Sequence, residues 1–185
     1  MDLTVWALWL PIVVSGVVVF IASCFAWMVL PHHRSDWSKL PDEEGFQKSL
    51  GDLNVAPGDY MFPGHESSEE MKSAQFQQKW QAGPRGLISV WPEAPNMGLQ
   101  IGKTFVFYLF ASFTVGYLAS MGVRADASRG MVFRFVATSA IVAYCFALFP
   151  GAIWFRRHLV KDVLDGVVYA LLTGLVFTLL WPGGS

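Results

Sequence analysis

The chain has 185 residues, of which 54% are hydrophobic and only 15% are charged. Soluble domains carry roughly 25% charged residues, and a soluble globule of this length could not hide so much apolar surface. The chain has 13 lysines and arginines and 14 aspartates and glutamates, a net charge of −1, so it has no excess of positive charge to bind nucleic-acid phosphates. Cys24 and Cys145 lie far apart in apolar runs, which argues against a disulfide framework or a metal knuckle. These features argue against a soluble enzyme, a disordered chain and a nucleic-acid-binding protein.

Four stretches are apolar enough to cross a bilayer, which requires about 20 apolar residues in a helix. Asp2 precedes the first stretch without any Lys or Arg, so we expect a retained span rather than a signal peptide. The fold class that follows is an all-α membrane protein with four transmembrane helices. The predicted helices cover residues 3–30, 101–123, 131–155 and 159–181.

The distribution of Lys and Arg predicts how the spans are oriented. Ten of these residues lie in the loop after the first span, at the start of the second span or in the turn before the last, and three lie on the other side. The excess predicts that the large loop is cytoplasmic and that both termini lie outside. Trp6, Trp27 and Trp154 near the span ends fit interfacial aromatic belts.

The loop over residues 31–100 is too long for a simple connection and carries a net charge of about −4. Its turn and capping signals predict a small α+β extramembrane cap. The predicted elements are a helix from Pro41 through Leu53, a strand at Tyr60–Phe62, a helix from Ser67 through Trp80 that ends at Gly83, and a strand at Leu87–Trp91.

Small residues recur every four positions in spans 2, 3 and 4, as in Ser112, Gly116 and Ser120 of the second span. In lipid, such stripes mark faces where helix backbones approach closely. The pattern predicts a tight bundle and leaves open whether the faces pack within one chain or between chains.

Ionisable side chains form a predicted cluster at the cytoplasmic end of the last span. Asp162, Asp165 and Tyr169 follow one another at helical spacing. Positive residues at the same face are Lys103, Arg156, Arg157 and Lys161. We expect an ion pair between Lys103 and Asp165. The cluster either fixes the helix register or admits a proton or cation to the membrane.

Four residues at this interface are candidate metal ligands: His32, His33, Asp36 and His158. Imidazole and carboxylate suit zinc, and paired histidines can ligate haem iron. However, no metal-type repeat is present, and adjacent histidines on a helix would point in different directions. We therefore predict no bound metal or cofactor and expect these residues to contact lipid headgroups or a partner.

Arg134 lies near the predicted outer interface, where its side chain can extend to lipid headgroups or hold an anionic ligand. The sequence contains no phosphate-binding loop, nucleophile elbow or dinucleotide fingerprint. An enzymatic function is therefore not predicted, and no catalytic residue is assigned.

The layout of one span, a sizeable loop and three closely spaced spans resembles small bacterial four-span membrane proteins of the domain-of-unknown-function type. The resemblance also rests on the segments Gly58–Pro63, Asp162–Tyr169 and Leu180–Pro182. It implies a location in the bacterial inner membrane and transfers no functional residue.

Three functional hypotheses follow. The leading one is a non-enzymatic accessory or scaffold subunit that binds a protein partner or forms a homo-oligomer, because no buried charged pathway is evident. The second is a small oligomeric transporter or channel with a cytoplasmic-side Asp/Lys site. The third is a membrane redox or metal protein that uses the interfacial histidines.

Overall fold

The computed structural model describes residues 3–155 and 158–183. As the sequence predicts, it contains four segments long and apolar enough to cross a membrane: Val5–Met28, Met97–Gly122, Arg129–Trp154 and Leu159–Leu179. The chain divides into two compact units, residues 1–38 with 97–185 and residues 39–96. The helices of the described residues are α1 (Trp9–Met28), α2 (Glu43–Asp52), α3 (Ser68–Lys72), α4 (Ala74–Ala82), α5 (Met97–Gly122), α6 (Arg129–Ile141), α7 (Leu148–Trp154) and α8 (Leu159–Leu179), and the strands are β1 (Gly58–Phe62) and β2 (Gly86–Val90).

The four spans form a bundle in which α1 packs against α5 and α8, and α6 packs against α5 and α8. The helices approach closely at small residues. A Cβ added at Gly16 would lie 3.2 Å from Leu109 Cα, and one at Gly174 would lie 2.9 Å from Ala137 Cβ. Small residues of these helices therefore pack within one chain, which the sequence left open.

The third span is not one uninterrupted α-helix. A π turn (Val142–Phe146) separates α6 from α7. The π turn places Tyr144 and Cys145 in the core against α8, where Cys145 Sγ would lie 2.7 Å from a Cβ added at Gly166. Such turns often occur at functional sites, and this one brings the Tyr144 ring beside Tyr169, at a centroid distance of 6.1 Å.

The unit of residues 39–96 contains the predicted small α+β fold. Asp42 caps α2 by accepting a hydrogen bond from the Gly45 amide at 2.9 Å. Strands β1 and β2 pair antiparallel, with Tyr60 opposite Ile88. The single helix predicted from Ser67 is instead two helices, α3 and α4, because Ser73 is extended and its hydroxyl caps α4 at the Phe76 amide.

Candidate functional site

A second short turn places two histidines beside the last span. The chain leaves α1, passes Pro31 and forms a 3-10 turn (His32–Asp36), which we call the histidine turn. Asp165, in the second turn of α8, lies opposite this turn. The histidine turn and Asp165 together form what we call the His/Asp centre.

His33 lies between two carboxylates. Its Nδ1 is 2.6 Å from Asp36 Oδ2, and its Nε2 is 2.9 Å from Asp165 Oδ2. The Trp27 ring stacks on the imidazole at 3.8 Å between centroids and 8° between planes. Only 4% of the His33 side chain is exposed, so the ring orientation is fixed by two hydrogen bonds and one stacking contact.

His32 reaches the same carboxylate as its neighbour. Its Nε2 is 3.1 Å from Asp165 Oδ1, and the two imidazole centroids are 4.2 Å apart. The expectation that His32 and His33 would point in different directions is therefore wrong. The two Asp165 oxygens lie within reach of both rings, so each oxygen bonds one histidine.

Asp36 also joins the histidine turn to α8. Its Oδ1 accepts a hydrogen bond from Lys161 Nζ at 2.5 Å, and the same ammonium contacts Ser35 Oγ at 2.6 Å. His158 Nδ1 lies 3.9 Å from Asp36 Oδ1. The Lys161 ammonium, followed by the His33 hydrogen bond, lowers the pKa of the Asp36 carboxyl from 3.8 to about 2.

The His33 imidazole experiences opposing effects on its pKa. Burial lowers the pKa, but the hydrogen bonds and charges of Asp165 and Asp36 outweigh it, and the pKa lies above the ordinary value of 6.5. Both ring nitrogens face carboxylates, and only the imidazolium can donate two hydrogen bonds. Without a metal, the two carboxylates therefore favour the charged form of the His33 ring.

The depressed Asp36 pKa predicts a loss of stability in acid. The contribution of this carboxylate is fully present above pH 3.8 and is lost as the pH falls through about 2. We expect the free energy of unfolding in detergent to decline across this window. Asp36→Asn should show a smaller decline, measured by denaturant titration between pH 2 and pH 5; an identical decline would contradict the assigned role.

The other predicted site residues are placed differently. The expected Lys103–Asp165 ion pair is not formed among the described residues, because Asp165 bonds both histidines, and Lys103 is exposed. Asp162 is half-buried and lies in the first turn of α8, one turn before Asp165. Arg134 is exposed and borders a hollow of about 380 Å³ with Phe135. Arg156 and Arg157 lie outside the described residues.

Tyrosines lie on the bundle side of the His/Asp centre. The Tyr169 hydroxyl donates to Asp165 Oδ2 at 3.4 Å, and the Tyr108, Tyr144 and Tyr169 rings contact one another. These rings and Asp165 border a cavity of about 340 Å³, which we call the tyrosine cavity. One Asp165 oxygen thus contacts His33 and Tyr169, and the carboxylate itself borders the cavity.

The centre brings together donor atoms that suit a metal ion. His32, His33 and Asp165 each offer one nitrogen or oxygen atom, and these atoms lie within 4.8 Å of one another. Asp36 holds the other nitrogen of His33, which is how outer carboxylates orient metal-bound histidines. The contacts of Trp27 with His33, of Lys161 with Asp36 and of both histidines with Asp165 were not predicted from the sequence. The signal that the sequence offers for them is the predicted topology, in which span 1 ends and span 4 begins at the same membrane face.

Comparison with protein-family models, curated proteins and solved structures finds no match for this chain. The geometry of the His/Asp centre is therefore the basis for assigning a function.

Proposed function

We propose that this integral membrane protein binds a divalent transition metal of the zinc class at the His/Asp centre. The ligands are His32 Nε2, His33 Nε2 and a carboxylate oxygen of Asp165. The observation that carries the proposal is the convergence of these three donors, together with the Asp36 oxygen held 2.6 Å from His33 Nδ1. Imidazole and carboxylate are common zinc ligands in proteins.

The distances support this assignment. Ligand atoms on a tetrahedral zinc lie roughly 3.3 Å apart, given zinc–nitrogen and zinc–oxygen distances of about 2.0–2.2 Å. Asp165 Oδ1 and Oδ2 are 3.1 and 2.9 Å from the two histidine nitrogens. All three donor atoms lie within 4.8 Å of one another, so they would draw together around the ion, and the proton on His33 Nε2 would leave as it binds.

Three protein ligands leave one tetrahedral position open. Structural zinc sites use four protein ligands, whereas sites that act on a small molecule keep a position for it. The tyrosine cavity borders Asp165 and offers space beside the centre. The arrangement therefore favours a metal that receives a ligand over one that only stabilises the fold.

The other functional hypotheses stay predictions. The accessory-subunit hypothesis started from the absence of a buried charged pathway, whereas His33 with Asp36 and Asp165 forms a largely buried polar centre. The transporter hypothesis relied on Lys103 beside Asp165, and the histidines occupy that place instead. The Lys and Arg distribution supports placing the centre at the cytoplasmic face of the membrane.

Metal content tests the proposal directly. The full chain is purified in mild detergent, stripped with EDTA, incubated with zinc and desalted, and zinc is measured by mass spectrometry. We expect about one zinc per chain. Asp165→Asn should lose most of it because a neutral amide is a poor zinc ligand, whereas Asp162→Asn, the matched change one turn earlier on α8, should retain it.

Two outcomes would contradict the proposal: wild-type protein without zinc, or equal zinc content in Asp165→Asn and wild type. Native mass measured on the same sample separates the alternatives. A stoichiometric protein partner in a zinc-free preparation would support the accessory-subunit hypothesis instead.

A further inference from the structure

The tyrosine cavity combines aromatic rings with negative charge. Its walls come from α1, α5, α8 and the interrupted third span. Two aspartates border it, Asp162 and Asp165, and no lysine, arginine or histidine among the described residues does so. The lining also includes five aromatic residues: Trp27, Phe107, Tyr108, Tyr144 and Tyr169. Carboxylates and aromatic faces both attract positive charge, so this lining is that of a site for a cation.

The aromatic rings stand at steep angles to one another. Tyr108 and Tyr144 each meet Tyr169 at interplanar angles of 79° and 87°, with centroid distances of 5.7 and 6.1 Å. Phe107 meets the Tyr108 ring at 63° and 5.3 Å. Rings stacked flat would cover one another's faces, whereas rings in crossed planes form walls on different sides of a space. A cation beside such walls is attracted to their π faces.

Asp162 brings to the cavity a charge that no described residue compensates. Asp165 contacts both histidines, and Asp36 is paired with Lys161. Asp162 is half-buried and takes part in none of the ion pairs formed among the described residues. A carboxylate in a partly dehydrated wall attracts a cation more strongly than one in open water does.

The lining favours an organic cation over an alkaline-earth metal ion. Ca²⁺ and Mg²⁺ need about six or more oxygen ligands, whereas most of this lining is aromatic. Aromatic faces attract an alkylated ammonium ion that lies within about 6 Å of the ring centre. The cavity volume of about 340 Å³ is at the lower end of the range of roughly 300–1,000 Å³ for small-molecule sites. The ligand is therefore a small molecule.

We propose that the tyrosine cavity binds a small alkylated ammonium ion from the aqueous phase. The ammonium lies against the Asp162 carboxylate and the aromatic rings, and Asp165 adds to the negative potential. Asp162 is in the first turn of α8, at the end of the span that the Lys and Arg distribution places next to the cytoplasm.

This ligand is additional to the proposed metal, and its binding does not require the metal. Asp165 is the residue that the two sites share. A metal ion at the His/Asp centre would place positive charge beside the cavity and weaken the binding of the ammonium ion. The metal-free protein is therefore the right form for the test.

Calorimetric titration with choline, a small quaternary ammonium alcohol, tests the proposal. The full chain is purified in mild detergent, stripped with EDTA and titrated. The control is the uncharged carbon analogue of choline, in which a tert-butyl group replaces the trimethylammonium group. We expect saturable binding of choline, with an affinity at least about tenfold above that of the analogue, because the two molecules differ in charge and hardly in shape.

Asp162→Asn tests the contribution of the carboxylate. The amide keeps the shape of the side chain and removes its charge, so choline affinity should fall about tenfold. Zinc content should stay at the wild-type value, since Asp162 is not among the three converging donors. Asp52→Asn is the matched control: it makes the same change at an exposed residue of the unit of residues 39–96, and choline affinity should be unchanged.

Phe107→Leu tests the contribution of the rings. Phe107 borders the cavity, whereas Phe110, one turn later on α5, does not; both side chains are exposed, by 54% and 68%. Loss of the Phe107 ring should weaken choline binding about two- to fivefold, and Phe110→Leu should leave it unchanged. Thermal unfolding of each variant checks that the bundle is intact.

Three results would overturn the proposal: no saturable binding of choline, equal affinities for choline and its uncharged analogue, or wild-type choline affinity in both Asp162→Asn and Phe107→Leu. Zinc content is measured separately and distinguishes the two sites. A protein that binds zinc but not choline contradicts this proposal alone, and one that binds choline but not zinc contradicts the proposed function alone.

Discussion

Replacement of His33 by alanine is expected to abolish zinc binding in the purified protein. His33 supplies one of the three ligands, and its ring is held by Asp36, Asp165 and Trp27. The substitution removes the ligand and leaves the Asp36 carboxylate with Lys161 but without the His33 imidazole. Zinc affinity, measured by competition with a chromophoric chelator, should fall by more than the ten- to hundredfold that loss of an outer-shell partner alone costs.

Asp36→Asn provides the graded comparison for His33→Ala. Asp36 contacts His33 Nδ1 but is not among the three converging donors, so its replacement should weaken zinc binding by about 10- to 100-fold. His65→Ala is the matched histidine control, since its ring contacts Phe76 and lies in the unit of residues 39–96. Equal affinities for wild type and His33→Ala would refute the ligand assignment.

Gly16→Leu is expected to cause a large loss of stability in the bundle. A Cβ at this position would lie 2.8 Å from Leu109 Cδ2 and 3.2 Å from Leu109 Cα. The second contact involves backbone, so α1 and α5 must separate rather than merely repack. Overpacking of this kind costs about 1–3 kcal/mol, and we expect a value near the upper end.

Hydrogen bonds next to Gly16 explain why we expect a large loss of stability. Ser15 and Ser112 are fully buried and bond each other between the two helices, and Ser112 donates to the Ile12 carbonyl at 2.7 Å. Separation of the helices would break these bonds inside the bundle. Unfolding by SDS titration in mixed micelles measures the loss. Gly102→Leu on α5 is the control because nothing lies within 4 Å of its added Cβ, and a similar loss in both variants would contradict the argument.

Local features of the fold were predictable from the sequence. The uncharged runs identify the four spans because bilayer thickness fixes how many apolar residues a helix needs. Ser67 marks a helix start because capping depends only on adjacent residues. The helix predicted to begin at Pro41 begins at Glu43 instead, with Asp42 as its cap. The helix break at Ser73 was not predicted, because the apolar residues around it have helical spacing. In the structure the Ser73 hydroxyl caps α4 by accepting a hydrogen bond from the Phe76 amide.

The candidate site depended on contacts that local patterns do not contain. His32 and Asp165 are 133 residues apart, and a charge pattern alone favoured Lys103 as the partner of Asp165. The 3-10 turn after α1 determines which side chains contact Asp165, because it places both imidazoles beside this one carboxylate. The π turn that places Tyr144 against α8 was not predicted either, because its residues have the composition of an ordinary apolar helix.

Because the His/Asp centre joins the end of the first span to the start of the last, a bound ion would act as a reversible crosslink between residues 133 positions apart. Closing a loop of this length removes much conformational freedom from the unfolded state. Any ligand that binds only the folded chain also raises its stability by mass action. The availability of the metal would therefore determine the stability of the folded bundle in the membrane.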